Sequence, residues 1–370
     1  MTPIPTVRGR LIGALLYIAF AVGAPVTANP PQQVYALQSR MVEDLFCQEA
    51  TTCWVSVVND PANIAPNSWY IARTNDGGLS WNAWQPNVPI AKMFFLTSEI
   101  GWGFSNDQSR SLLAKTTNGG MTWTKLPSGA IPQNGRNTLL TSLGFGDINM
   151  GWLVGEQPMG LSFVLQFREG EGRTGIVAEL TGKSGISRTI FVRPRHGIWI
   201  SGNSSIEFSK DEGHTWEQQL RPEELPGDLR FLTIQDVWVD DNGDGFAVGG
   251  DGYGVVLKTK DFGEHWEFDF HGTETSTTSF TSISPRVGHQ ICVVGYSTAV
   301  YCSLGEGKDW AKRGNLPDIK RPAGSDLPPY TKIALVADGL HGLALNSNGS
   351  LYRTADAGKT WTQVDPLNLP

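Results

Sequence analysis

One eight-residue pattern recurs along the 370-residue chain and limits its fold more than any other feature: Ser or Thr, any, Asp, any, Gly, any, Thr or Ser, Trp. It first reads Thr74-Asn75-Asp76-Gly77-Gly78-Leu79-Ser80-Trp81, and Ser209 to Trp216 and Thr354 to Trp361 match it throughout. Thr116 to Trp123 puts Asn118 at the Asp position, and Thr259 to Trp266 keeps Asp261 but puts His265 at the seventh place. A degraded sixth copy, Ser303 to Trp310, retains Gly307 and the Trp. The Trp residues fall at 81, 123, 216, 266, 310 and 361, so successive gaps are 42, 93, 50, 44 and 51 residues. The 93-residue gap holds two periods, and Gly170-Glu171-Gly172-Arg173-Thr174 lies where a worn seventh copy belongs. Repeats of about 47 residues are the size of four-stranded propeller blades. The expectation is an all-β, seven-bladed β-propeller.

The repeat is an Asp-box, and it has a physical cause. Asp-x-Gly makes a tight turn in which the carboxylate accepts backbone N–H groups and Gly takes a conformation closed to other residues. The flanking hydroxyls support the turn, and the Trp opens the next strand and packs between blades. Repetition therefore makes Asp76, Asn118, Asp211, Asp261 and Asp356 structural residues rather than catalytic ones.

A second pattern precedes each box by about 20 to 25 residues: Cys53-Trp54-Val55-Ser56-Val57, Gly101-Trp102-Gly103-Phe104, Gly151-Trp152-Leu153-Val154-Gly155 and Gly245-Phe246-Ala247-Val248-Gly249. Alternating aromatic and apolar residues suit a strand sandwiched between blades. Each blade then runs innermost strand, tight turn, this strand, loop, third strand, box, outer strand. Boxes and first-to-second turns share one rim, while the remaining loops and the links between blades share the opposite face.

The first 28 residues read as an export signal. Arg8 and Arg10 precede an apolar run, Leu11 to Ala24, and Val26-Thr27-Ala28 offers the small-x-small cleavage pattern before Asn29. That run is too short to span a bilayer, which takes about 20 residues. Residues 29–370 then form the single propeller domain. Taking two arginines from 29 Lys+Arg leaves 27 against 36 Asp+Glu, a balance of −9 that disfavours nucleic acid and anionic lipid as partners.

Four cysteines fit an oxidising compartment and allow three pairings. Cys47 and Cys53 flank a short turn, and Cys292 and Cys302 lie symmetrically about Ser297, so two local bridges are favoured. Neither spacing is CxxC and the six His are scattered, so no zinc site is expected. Asp240-x-Asn242-x-Asp244-Gly245 with Asp251 comes close to a calcium loop. It lacks the terminal Glu and the flanking helices, and it reads better as an acidic hairpin turn. No metal or cofactor is expected.

Trp238 to Gly249 (WVDDNGDGFAVG), followed by Val256-Leu257-Lys258-Thr259-Lys260-Asp261 and Trp266, resembles a blade of the photosystem II stability/assembly-factor family. Phe145-Gly146-Asp147-Ile148-Asn149-Met150-Gly151-Trp152 resembles another, and the resemblance runs from about 34 to 364. It implies a non-catalytic scaffold binding a protein partner, such as a membrane-protein subunit or assembly intermediate. It also implies an exported location: periplasm or exterior, or the thylakoid lumen in an oxygenic phototroph. Cyanobacterial members commonly carry a lipidated Cys just after the signal. Here residue 29 is Asn and the first Cys is Cys47, so lipid anchoring is not expected.

Asp-boxes also occur in sialidases and other glycoside hydrolases, which makes a secreted hydrolase the alternative. Its marks would be three arginines clamping a carboxylate, a Tyr–Glu nucleophile pair and an Asp acid/base. Phe191-Val192-Arg193-Pro194 has the letters of the first-arginine motif in the wrong order, and Tyr330 has no identifiable Glu partner. The face opposite the boxes is the expected partner site, with Arg193, Arg195, Arg230, Tyr253, Arg321 and Tyr330 as the candidate contacts. Arginines fork onto carboxylates and tyrosines supply rigid contact area.

Overall fold

Strand pairing in the computed structural model follows the period of the repeat. The structure describes residues 40–48, 51–59, 66–107, 110–126, 139–157, 161–170, 173–184, 186–193, 196–202, 205–221, 225, 232–250, 252–272, 279–284, 288–319, 330–335 and 338–367. The proposed export signal lies outside them. Seven four-stranded sheets are present, each built from four strands consecutive in sequence. They span residues 40–84, 92–125, 139–184, 186–220, 233–271, 280–315 and 330–364, called blades 1 to 7 below.

The core consists of seven apolar clusters, each drawn from two successive blades, and this settles both the blade count and the closure of the ring. One of them joins Val42, Leu45 and Val55 of blade 1 to Leu343, Leu345 and Leu351 of blade 7. Among the described residues no strand is exchanged between first and last blade, and the seam is held there by side-chain packing and a few polar links. Val42 N–H donates to the Gly349 carbonyl at 2.8 Å, Arg353 donates to the Gly77 carbonyl, and Arg40 pairs with Asp365.

The innermost strands lock to one another through a shared irregularity. Blades 1, 5, 6 and 7 each have a bulge in the first strand, at 42/44, 234/236, 280/282 and 330/332. The residue following it reaches the next blade: Asp44 accepts from Met93 N–H, Asp236 from Ile283 N–H and Ser282 from Ile333 N–H. In blades 5 and 6 the bulge brings backbone so close to the second strand that Gly249 and Gly295 have no room for a side chain, whereas blades 1 and 7 carry Val57 and Asn346 opposite it. A Cβ on Gly249 would stand 1.9 Å from the Thr233 carbonyl oxygen.

Each box works as expected, and does more. In blade 1 the Thr74 hydroxyl donates to Asp76 and accepts from Gly78 N–H, while Asp76 accepts from both Ser80 N–H and Ser80 Oγ. Asn118 keeps this pattern with one reversal, its amide nitrogen donating to Thr122 Oγ1 at 2.8 Å. The degraded sixth copy has moved its acid: Asp309, at the seventh place, accepts from Leu304 N–H, Gly305 N–H and Ser303 Oγ.

Position four of the box is where the turn becomes a fastener. Gly77, Gly119, Glu212, Phe262, Glu306 and Ala357 all have φ between 57° and 70°, the left-handed region that costs a non-glycine residue energy. The N–H of Gly77, Gly119, Phe262, Glu306 and Ala357 donates to the first-to-second turn of the same blade. The carbonyl turns to the preceding blade and accepts from Arg353 at Gly77, Trp54 at Gly119, Trp152 and Gln166 at Glu212, Trp199 and Gln219 at Phe262, and Lys258 at Glu306. The box Trp joins the same seam, so Trp123 packs in the cluster of blades 1 and 2 and Trp361 in that of blades 6 and 7.

Blade 3 departs from the sequence expectation. The proposed worn box is a tight hairpin, with Gly170 paired to Arg173 and residues 171–172 outside the described set. Its strands Leu161–Gly170 and Arg173–Ser184 are long, whereas the fourth strands of the other blades have two to five residues. Two residues cannot make an eight-residue box, so the hairpin closes directly. Both expected disulfides are present, Cys47–Cys53 across the first turn of blade 1 and Cys292–Cys302 across paired strands of blade 6.

Candidate binding faces

Of the candidate contacts, Arg193, Tyr253 and Tyr330 are among the described residues, and the structure does not bring these three together. Arg193 is the last residue of the first strand of blade 4, Ile186–Arg193, so it stands at the box rim and not in a link between blades. Its Nε donates to Asp241 Oδ1 at 2.6 Å. Arg195, Arg230 and Arg321 lie outside the described residues. The signal for placing Arg193 was available: Gly197-Ile198-Trp199-Ile200-Ser201-Gly202 is the second strand of blade 4, and whatever directly precedes it belongs to the rim turn.

Tyr330 opens the first strand of blade 7 but is fully buried, with its hydroxyl donating to the Pro317 carbonyl at 2.6 Å. Burial pushes its phenol well above the ordinary range, with the neighbouring Tyr352 adding to the effect. It offers neither contact area nor a nucleophile. Tyr253, between the second and third strands of blade 5, is half-buried on the open face and meets His271 edge to face.

The rim itself holds a cleft of about 860 Å³ where blades 3, 4 and 5 meet. Trp152, Val192 and Ile198 form its apolar wall, and Arg193, His196, Lys210, Glu212 and Asp241 supply charge. These charges are largely engaged with one another: Arg193 with Asp241, and Glu212 with Arg168 at 2.9 Å. The His196 ring stacks on Phe262 with centroids 5.0 Å apart. The calcium-like segment is a turn in which Asp240 Oδ1 accepts from Asn242 N–H at 2.8 Å and Asp244 N–H at 3.0 Å. Among the described residues no group of three or more His, Cys, Asp or Glu is arranged to hold a metal.

The box acids are electrostatically settled. Asp76 is lowered to about 2, since hydrogen bonds from Ser80 and Thr74 outweigh the opposing effect of burial. Asp211 is also lowered to about 2, chiefly by the Thr215 hydroxyl and N–H. A carboxylate held ionised by its own turn is a poor proton donor near neutrality. Burial acts the other way on Glu43 and Asp236, raising both, with Lys92 and Lys332 opposing it respectively.

Seven four-stranded blades, six of them carrying these turns, define an Asp-box β-propeller. Within that class, residues 230–366 match the family described as photosynthesis system II assembly factor YCF48. Among solved structures, YCF48 bound to D1 peptide aligns over 76% of this chain and 82% of its own, at 19% identity and a TM-score of 0.50. The WD40 repeats of RRP9 align over 74% and 80%, at 11% identity and 0.52. A GH74 enzyme from Niastella koreensis aligns over 87% and 65%, at 13% identity and 0.44. At such identities the likeness is one of fold. A search of curated protein sequences finds no match.

Proposed function

We propose that the chain is an exported, non-catalytic scaffold that holds a protein partner on the face opposite the boxes. The observation that carries this reading is the commitment of the repeated acids: each described box carboxylate is engaged by its own turn, so the most conspicuous acids of the sequence do structural work. The family match over 230–366 supports the same reading, and one solved member is bound to a peptide of D1. The apolar run with its small-x-small site and the two disulfides support export. Among the described residues no helix is long and apolar enough to cross a membrane.

The contacts proposed on that face are Arg230, Tyr253 and Arg321. The test is fluorescence polarisation with a labelled D1 peptide. Changing the three residues together to Ala should weaken binding at least about tenfold with an unchanged melting temperature. Capture at wild-type strength by the triple variant would refute the site. Hydrolysis of sialosides or β-glucans, lost on substituting a single acid, would reverse the non-catalytic reading.

A further inference from the structure

Both disulfides lie in seams of blade 7. Cys47 and Cys53 belong to the apolar cluster that joins blade 1 to blade 7, and Cys292 and Cys302 to the one that joins blade 6 to blade 7. None of the four cysteines packs in another seam.

The Cys292–Cys302 bridge stands where other blades carry a fastener. In blades 1, 5 and 7 the residue just before the box and its neighbour on the second strand form a pair: Trp54 with Arg73, Phe246 with Lys258, Leu343 with Arg353. One member of each donates to the box carbonyl of the next blade around the ring, Trp54 to Gly119, Lys258 to Glu306 and Arg353 to Gly77. Blade 6 places Cys292 opposite Cys302 at this position. A disulfide has no proton to donate, so this pair does not fasten Ala357, the left-handed fourth residue of the blade 7 box. The bridge is instead part of the apolar wall against Leu335, Ala344 and Tyr352.

The Cys47–Cys53 bridge secures the other flank at one remove. Arg353 of blade 7 donates to the Gly77 carbonyl, and Gly77 N–H donates at 3.0 Å to the Thr51 carbonyl, inside the turn that this bridge closes. Among the described residues blade 7 shares no strand with blade 1, so the two can part without unpairing a sheet. The bridges also differ in access: Cys47 is partly exposed, whereas Cys53, Cys292 and Cys302 are fully buried.

We propose that the two bridges make blade 7 a redox-controlled gate in the ring. The reductant is a dithiol. Its thiolate attacks Cys47 Sγ, Cys53 leaves as a thiolate and takes up a proton, and the second thiol of the reagent displaces Cys47 as the reagent's own disulfide closes. Two electrons and two protons pass to the protein. The first turn of blade 1 loosens, the acceptor for Arg353 moves, and blade 7 undocks. Only then does Cys292–Cys302 come within reach, and its loss frees the two strands that form the docking wall. Blades 1 to 5 stay folded, and reoxidation closes the ring. A chain held in a reducing compartment therefore stays open until it is transferred to an oxidising one, whatever partner the closed ring holds.

Hydrogen exchange during a dithiothreitol titration of the purified protein tests this, with thiol labelling of aliquots to show which bridge has opened. Cys47 and Cys53 should label first. Exchange at Leu343 and Leu345, on the second strand of blade 7, should rise about tenfold to a hundredfold as Cys292 and Cys302 become labelled, while Leu153 and Val154 of blade 3 keep their protection. A Cys47→Ala, Cys53→Ala double variant should lose its remaining bridge at about tenfold less dithiothreitol than wild type. If that variant does not fold, the wild-type titration decides alone. Three results would overturn the gate: four labelled cysteines with blade 7 as protected as blade 3, simultaneous loss of protection in every blade, or opening of Cys292–Cys302 before Cys47–Cys53.

Discussion

The seam between blades 1 and 2 and the seam between blades 2 and 3 meet the same demand by different means. Both stack a second-strand indole on a phenylalanine of the next blade, Trp54 on Phe95 at 4.0 Å and Trp102 on Phe145 at 3.8 Å. Both place a cation over that indole, Arg73 and Lys115. They part at the box. Trp54 Nε1 donates to the Gly119 carbonyl, and Trp84 and Trp123 both donate to that of Gly120. Blade 3 has no box to offer a carbonyl, and buried Trp102 Nε1 has no partner among the described residues. Phe167, packed edge to face on Phe145, and the Lys115–Glu169 pair stand in its place. A box thus gives a seam direction, because a fixed carbonyl accepts one donor in one geometry. The unboxed seam relies on apolar area, which is less particular about alignment.

Acid should expose the difference most strongly. Asp76, Asp211, Asp261, Asp309 and Asp356 all have lowered values in the folded chain. A depressed carboxylate contributes stability that is complete above its unfolded value near 3.8 and lost as pH falls toward about 2. Glu43, Asp236 and Asp269 are raised by burial and act oppositely, so stability should rise slightly from neutral to mild acid before it falls. Blade 2 uses Asn118 and blade 3 has no box, so neither loses a box carboxylate. Hydrogen exchange near pH 2.5 should find Gly120 and Thr122 amides protected longer than those of Gly78 and Ser80. Equal loss would show that the boxes do not report on their own blades.

Truncation comes next. Trp102→Ala should cost about 3–5 kcal/mol in denaturant unfolding, since a fully buried indole leaves a cavity between two sheets. A smaller and sharper contrast follows from the indole N–H. Trp54→Phe strands the Gly119 carbonyl, whereas Trp102→Phe removes a donor that had no partner. Trp54→Phe should therefore be the costlier by about 1–2 kcal/mol; the reverse order would break the comparison. Smallest is the ion pair that stands where a box is missing. A double-mutant cycle on Lys115 and Glu169, both partly exposed, should give a coupling below about 1 kcal/mol.

Where sequence reasoning succeeded and failed follows from the range of the interactions. The order of strands, the sharing of one rim by boxes and first turns, and both disulfides were legible because a turn or hairpin is decided within about ten residues. Asn118 and His265 stayed recognisable because their atoms replace the missing ones locally, His265 Nδ1 meeting Asp261 Oδ2 at 2.7 Å. The worn box of blade 3 was misread because glycines at the right spacing serve a short hairpin equally well. Arg193 was placed on the wrong face because the second strand of blade 4 was not recognised, and Tyr330 was counted as a contact although its ring and hydroxyl are buried.

The sequence by itself determined a seven-bladed ring, since a period of about 47 residues with a box per period allows little else. It also determined that the box acids are structural, since repetition and turn chemistry agree. Tertiary structure alone decided that the fourth box residue is left-handed and turns its carbonyl to the preceding blade. It alone decided that the two disulfides lie in the seams on either side of blade 7. The reason is distance along the chain: Trp54 meets Gly119 across 65 residues and Arg353 meets Gly77 across 276, and such partners are chosen only when the ring closes.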